Sequence, residues 1–398
     1  MRIFCIVLFC SCLSSCYVLR AYNNRHLTLT SHKHLPFTTI NKGDNSFHFF
    51  EGDNQEKFQT SKAKLDTELI NTETAAFLIV RNDSIIYEKY FDGFDQTSLL
   101  PSFSVVKSFV GTLTGICFEE GKIKSLQEPM TDYLPEFIKK DERFKQITIQ
   151  HLLDMRSGLK WNEGSYGLKD DAIKMAFRPN ITPYVYKVKI KEPPGKQEYQ
   201  SINTLLLAMI VERATGMHIS EYLQQKLWQP LGMETNGTWT TDKHKREIAY
   251  AGLNATARDF AKFGDLYLHK GEWNGKHILS KEWINNTTGV DSMTKWEGYR
   301  NQFWGTETYQ EFTDSASAMA AGPSINISNE KVSVFTTKEG VKKYYVEHAG
   351  ASFYALGILG QYIYINPANN SVIVRLGHFW KHPQMSLDDF VSGISGGL

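Results

Sequence analysis

Leu100-Pro101-Ser102-Phe103-Ser104-Val105-Val106-Lys107-Ser108-Phe109 sets a serine three residues ahead of a lysine at the start of an apolar run. Residues three apart share one face of a helix, so Ser104 and Lys107 fall within reach of each other. A serine hydroxyl is a poor nucleophile near neutral pH, but a lysine held partly dry is pushed toward its neutral amine and can take the proton. The pair can therefore form a nucleophile and its base without any histidine, the S-x-x-K arrangement of serine acyl transfer. Val105, Val106, Phe109, Val110, Leu113, Ile116 and Cys117 continue the apolar run, which stops at Gly121 with helix-end chemistry. The spacing predicts a buried helix with Ser104 in its first turn.

The bare pattern recurs at Ser61 and Lys64, Ser157 and Lys160, Ser292 and Lys295, and Ser328 and Lys331. Ser157 sits against Gly158 in a loop, and the other three lie in polar surroundings with no apolar helix behind them. The plain alternative for Ser104 is a helix-capping serine with a solvated lysine nearby.

The wider chain resembles the class C β-lactamase-like serine hydrolases, with their 6-aminohexanoate-dimer hydrolase and esterase-like branch nearest. The likeness runs from about Thr74 to Gly377. It is carried by Phe103-Ser104-Val105-Val106-Lys107-Ser108-Phe109, Asp132-Tyr133-Leu134-Pro135, Ile149-Gln150-His151-Leu152-Leu153, Tyr199-Gln200-Ser201, Gly252-Leu253-Asn254-Ala255-Thr256-Ala257-Arg258-Asp259 and Gly357-Ile358-Leu359-Gly360-Gln361, in that order. The resemblance implies Tyr199 as the second catalytic residue, in the place of the family's Tyr-x-Asn motif; a tyrosine there relays a proton toward the leaving group. Ser201 replaces the family asparagine, and Asn203 is a nearby substitute for orienting Lys107. Read alone, Tyr199 could be a buried tyrosine bonding a carbonyl.

A third motif of the form Lys-Thr-Gly or His-x-Gly is expected, and no Lys-Thr-Gly occurs. Both His348-Ala349-Gly350 and Ala355-Leu356-Gly357 are candidates. The second lies nearer the strand Gln361 to Ile365, and on that alignment the backbone N–H groups of Ser104 and Ile358 form the oxyanion hole, with Gly357 in support. Leu356 then offers no charge or hydroxyl to a substrate carboxylate, which predicts a poor β-lactamase. Gly393-Ile394-Ser395-Gly396-Gly397 matches a nucleophile elbow but lacks the strand before and the helix after that the motif needs. His26, His32 and His34 lie in a polar stretch without ligand spacing and read as solvated linker. No metal or cofactor is expected.

Across 398 residues, 44 Lys and Arg balance 43 Asp and Glu. Near-neutral charge leaves no electrostatic footprint for nucleic acid, and the length allows a large core with two subdomains. Met1-Arg2, the apolar run Ile3 to Leu13 and Leu13-Ser14-Ser15-Cys16 resemble a bacterial lipoprotein leader with lipidation at Cys16; an uncleaved anchor is the alternative. That implies an exported protein, lipid-anchored at the cell envelope. Cys117 reads as a small buried hydrophobe.

Residues 17–68, rich in Asn, Thr, His and Lys, read as a polar tether, and 69–398 as the hydrolase domain with a mostly helical subdomain at about 122–245. The fold expected is α+β and β-lactamase-like, with an antiparallel sheet built from both chain ends. Residues 311–346 match the family little. The expected function is hydrolysis of a small ester or amide through an acyl-enzyme on Ser104. The alternatives are a penicillin-binding sensor that does not turn over, a true β-lactamase and a D-amino-acid peptidase. Oligomeric state is not legible.

Overall fold

The computed structural model describes residues 28–52, 56–164, 167, 169–288, 298–320, 332–337 and 340–398. Two sheets organise it. In chain order their strands are β1 (Phe37–Ile40), β2 (Phe50–Glu51), β3 (Thr74–Arg81), β4 (Ser84–Tyr90), β5 (Leu100–Pro101), β6 (Gly237–Thr240), β7 (Leu253–Ala255), β8 (Tyr299–Arg300), β9 (Phe303–Phe312), β10 (Ser333–Thr336), β11 (Lys342–Gly357), β12 (Gln361–Asn366) and β13 (Ser371–Gly377). The helices that matter most are α1 (Glu56–Asn71), α2 (Val106–Glu119), α3 (Ser201–Thr215), α4 (Ala257–Leu268) and α5 (Leu387–Gly396).

The large sheet runs β8-β9-β11-β12-β13-β3-β4-β2, with β10 also against β11, so strands from the two ends of the chain meet at its centre. β3 and β4 form a hairpin whose turn residues Asn82 and Asp83 both take positive φ, 48° and 59°, as a tight two-residue turn requires. β13 pairs antiparallel with β3, bringing Val374 opposite Leu78. Side chains alternate along these strands. Ala76, Leu78, Val80, Val372 and Val374 join the main core with α2 and α4, while Phe77, Ile79 and Ile373 pack under Leu65 and Leu69 of α1 and Phe390 and Val391 of α5. Both faces are covered, which is why β3 and β13 read as continuous apolar runs rather than alternating ones.

α2 packs against α3 in the largely helical region between the two halves of the sheet. The smaller sheet, β1-β6-β7-β5, lies at the foot of α2. In the poorly matched stretch 311–346, Glu311, Phe312, Ser333–Thr336 and Lys342 to Val346 fall on a long arm in which β9 and β11 pair from Trp304 and Tyr354 out to Phe312 and Tyr344.

The tether expected over 17–68 is corrected from residue 28 onward. Leu29 and Ile40 are buried in the core, β1 pairs with β6, β2 runs parallel to β4, and α1 covers the sheet. A few isolated apolar anchors, Leu29, Ile40 and Phe49, hold a segment whose average composition is polar, and averages conceal such anchors. Cys16 and the leader lie outside the described residues. Among the described residues no helix is long and apolar enough to cross a membrane.

Candidate active site

Ser104 sits where the small sheet feeds into α2. β5 pairs with β7 through Leu100 opposite Ala255 and Pro101 opposite Asn254, and the Ser102 N–H donates to the Leu253 carbonyl at 2.8 Å. Phe103 then takes φ +41°, a left-handed conformation rare for an aromatic residue. Ser104 lies in a single 3₁₀ turn, Phe103–Val105, that leads into α2 rather than within the α-helix itself. Lys107 lies in the first turn of α2, three residues on and on the same face as Ser104. Lys107 Nζ is 2.8 Å from Ser104 Oγ and donates to the Tyr250 carbonyl at 3.1 Å.

Lys107 is 1% exposed. Burial pushes its pKa down to about 8, and the charge of Glu163 pulls it back up. The Tyr199 hydroxyl stands beside Ser104; burial raises its pKa, the neighbouring serine lowers it and the charge of Glu163 raises it, leaving a neutral phenol. Tyr199 precedes α3, with its ring 5.5 Å from and nearly parallel to Trp304 and edge-on to Tyr299 at 5.7 Å. Lys107 Nζ lies 5.0 Å from the centre of that ring. Ser104, Lys107 and Tyr199 thus form one cluster.

Ser201 and Asn203 do not hydrogen-bond to Lys107. The Ser201 N–H donates to Glu163 Oε2 at 2.8 Å and its hydroxyl to Oε1, while Trp161 Nε1 donates to Oε2 at 2.7 Å. Asn203 is fully buried and its amide points at Met155 Sδ, 3.3 Å away. The Tyr250 carbonyl takes the orienting contact, and Ser201 holds a carboxylate that acts on Lys107 through its charge.

β11 ends against the nucleophile. A Cβ on Gly357 would lie 2.5 Å from the Ser102 carbonyl oxygen and 3.1 Å from the Ser104 nitrogen, so only glycine lets the strand come this close. Ile358 opens the following turn, in which Leu359 and Gly360 take φ +64° and +75°. Arg375, fully buried, donates to the carbonyls of Leu359 at 3.1 Å and Gly360 at 2.7 Å. Gln361 Nε2 donates to the Gly377 carbonyl at 2.7 Å and its Oε1 accepts from the Gly377 N–H at 3.2 Å. His348 stands nine residues earlier on β11, opposite Thr308, roughly 30 Å along the strand at about 3.3 Å per residue. Ala355-Leu356-Gly357, not His348-Ala349-Gly350, is therefore the triplet beside Ser104.

The family model described as Beta-lactamase matches residues 63–390. The chain belongs to the beta-lactamase family. It is 29% identical over 335 residues to the 6-aminohexanoate-dimer hydrolase of Paenarthrobacter ureafaciens, covering 80% of this chain and 76% of that one. It is also 29% identical over 175 residues to the teichoic acid D-alanine hydrolase of Staphylococcus aureus, covering 43% and 41%. A candidate 6-aminohexanoate-dimer hydrolase from Bacillus anthracis superposes with a TM-score of 0.70 at 25% identity over 92% of this chain and 91% of that one. A class C beta-lactamase in complex with cefoxitin shares the fold, with a TM-score of 0.56 at 16% identity over 86% and 99%.

Glu163 and Tyr250 join the site without having been read from the sequence. Glu163 is one loop carboxylate among many, and Tyr250 contributes a main-chain carbonyl that any residue would supply. Cys117, by contrast, behaves as read, since burial pushes its thiol up to about 12. Among the described residues, Asp83, Asp265 and His269, and Glu212, His218 and Glu247, bring possible metal-ligand atoms together, but none lines the cavity that opens at Ser104.

Proposed function

We propose that this beta-lactamase-family protein is a serine hydrolase of small esters or simple amides, working through an acyl-enzyme on Ser104. One observation carries the reading: a buried lysine amine, its pKa held near 8, lies 2.8 Å from a serine and 5.0 Å from the ring of a neutral tyrosine. Neutral Lys107 takes the Ser104 proton as the oxygen attacks the carbonyl. The N–H groups of Ser104 and Ile358 hold the oxyanion, and Tyr199 delivers a proton to the departing oxygen or nitrogen. Water then attacks the ester formed on Ser104 with the same groups in reverse. The names of the relatives, a 6-aminohexanoate-dimer hydrolase and a teichoic acid D-alanine hydrolase, support hydrolysis at an acyl group.

The test is the pH profile of kcat/KM on a 4-nitrophenyl ester. Acylation needs Lys107 without its proton, so the rate is expected to rise with pH through about 8 and level above it. Glu163→Gln removes the negative charge that favours protonated Lys107, so the limb moves to lower pH. A limb that stays in place, or moves up, contradicts Lys107 as the base. On a cephalosporin the same enzyme is expected to be about one to two powers of ten poorer, because Ala355 offers no charge-assisted hydrogen bond to the carboxylate and Leu356 packs on the far face of the sheet.

The anchor belongs to this reading too, supported by the leader sequence ending at Cys16. Palmitate labelling of wild type that persists in Cys16→Ala would remove it.

A further inference from the structure

Asp265 lies in the last turn of α4, only 2% exposed, and its Oδ2 has no hydrogen-bond partner among the described residues. A carboxylate is badly placed there. The C-terminal end of a helix carries partial negative charge, and burial removes the water that would offset it. Asp83, from the turn between β3 and β4, brings a second carboxylate against the first. Burial and the charge of Asp83 push the Asp265 pKa up to about 8. Among the described residues neither acid pairs with a lysine or an arginine; the group that faces both is His269. Its Nε2 is 2.7 Å from Asp83 Oδ1 and 3.8 Å from Asp265 Oδ2, and ligand atoms of the three residues all lie within 4.8 Å of one another.

Each member is held by the fold. Asp265 and His269 are four residues apart and share one face of α4, with the His269 N–H donating to the Asp265 carbonyl at 2.9 Å. Asp83 takes φ +59° in a turn pinned on both sides: the Asn82 N–H donates to the Asn370 carbonyl at 3.0 Å, and the Asp83 carbonyl accepts from the Phe50 N–H at 2.9 Å. The His269 ring stands edge-on to Trp273, 5.8 Å away. Asp83 and His269 are partly exposed, so an ion can enter from their side while buried Asp265 closes the floor. The second cluster of this kind is already neutralised. There Glu212 pairs with Arg246 Nη1 at 2.5 Å, and Glu247 accepts from the Ser220 hydroxyl.

We propose that Asp83, Asp265 and His269 form a zinc site that clamps the β3–β4 turn to the end of α4. One imidazole nitrogen with two carboxylate oxygens is a zinc donor set, whereas magnesium and calcium take oxygen. Zinc bonds of about 2.0–2.2 Å at tetrahedral angles set ligand atoms roughly 3.4 Å apart, and the 2.7 and 3.8 Å distances bracket that value. Small shifts of the two partly exposed side chains close the site, with water as the fourth ligand. The dication balances two carboxylates and displaces the proton that the acids would otherwise share. None of the three residues lines the cavity at Ser104, so the ion is structural. The set joins residues 186 apart in the chain, beyond the reach of any local motif.

The full chain is stripped with EDTA, dialysed and titrated with zinc chloride, with magnesium and calcium chlorides in parallel. Titration calorimetry is expected to show one zinc more in wild type than in Asp265→Asn. Zinc at about a hundred times its Kd is expected to raise the wild-type melting temperature by about 3 °C, and magnesium and calcium to leave it in place. Asp265→Asn keeps the size of the side chain and is expected to lose the zinc shift. His269→Gln, at a partly exposed position, is the second variant should the first not fold. Equal zinc shifts in wild type and both variants would place the metal elsewhere and overturn the proposal. The absence of any shift would leave the acids with a shared proton only, and calcium or magnesium matching zinc would make the cluster a plain acidic patch; either result overturns it too. Ester turnover that vanishes with EDTA and returns with zinc would overturn the structural role.

Discussion

Lys107→Ala and Tyr199→Phe are each expected to lower kcat/KM on a simple amide by about 10²–10⁴-fold. The double variant is expected to be little worse than the weaker single. The two groups flank the same serine and serve one proton relay, so once one is gone the other has no partner step to assist. An activated ester, whose leaving group departs without protonation, should suffer much less from Tyr199→Phe than the amide does. A double variant whose loss is the product of the singles would mean that one of the two residues only supports the structure.

Arg375→Met is expected to cost about 3–5 kcal/mol of stability and to lower the melting temperature by roughly 5–10 °C. The guanidinium is fully buried and faces no carboxylate at bonding distance. It donates instead to Thr74 Oγ1 at 3.0 Å and to the carbonyls of Thr72 at 2.7 Å, Leu359 at 3.1 Å, Gly360 at 2.7 Å and His378 at 3.3 Å. Methionine fills similar space but leaves those oxygens buried without donors. Because Leu359 and Gly360 form the turn that carries Ile358, kcat on an ester is expected to fall as well, even below the unfolding range. Calorimetry alongside ester assays checks both, and an unchanged melting temperature would mean that water replaces the guanidinium at no cost.

The centre of the site was legible because its chemistry is tied to local spacing. Ser104 and Lys107 lie one turn apart, and a turn is the shortest structure a sequence can encode. The apolar helix that follows them and stops before Gly121 was legible for the same reason. Contacts made across the fold were not. Glu163 reaches Lys107 only because Ser201 and Trp161, in separate stretches, aim their donors at one carboxylate. Arg375 stands in the apolar run Ser371 to Gly377, where no pattern announces that four carbonyls from three other stretches converge on it. The N-terminal segment was misread because Leu29 and Ile40 act singly, and periodicity is silent about single anchors. The choice between the two third motifs turned on strand position, which places Gly357 against Ser102 and Ser104 and leaves His348 far along β11.

The most direct measurement of the central claim is the mass of the protein during turnover. Wild type mixed with excess 4-nitrophenyl hexanoate and quenched in acid within milliseconds to seconds should gain one hexanoyl group. Digestion should place it on the peptide containing Ser104, and Ser104→Ala should gain nothing and turn nothing over. An acyl group on any other residue, or continued turnover by Ser104→Ala, would contradict the account.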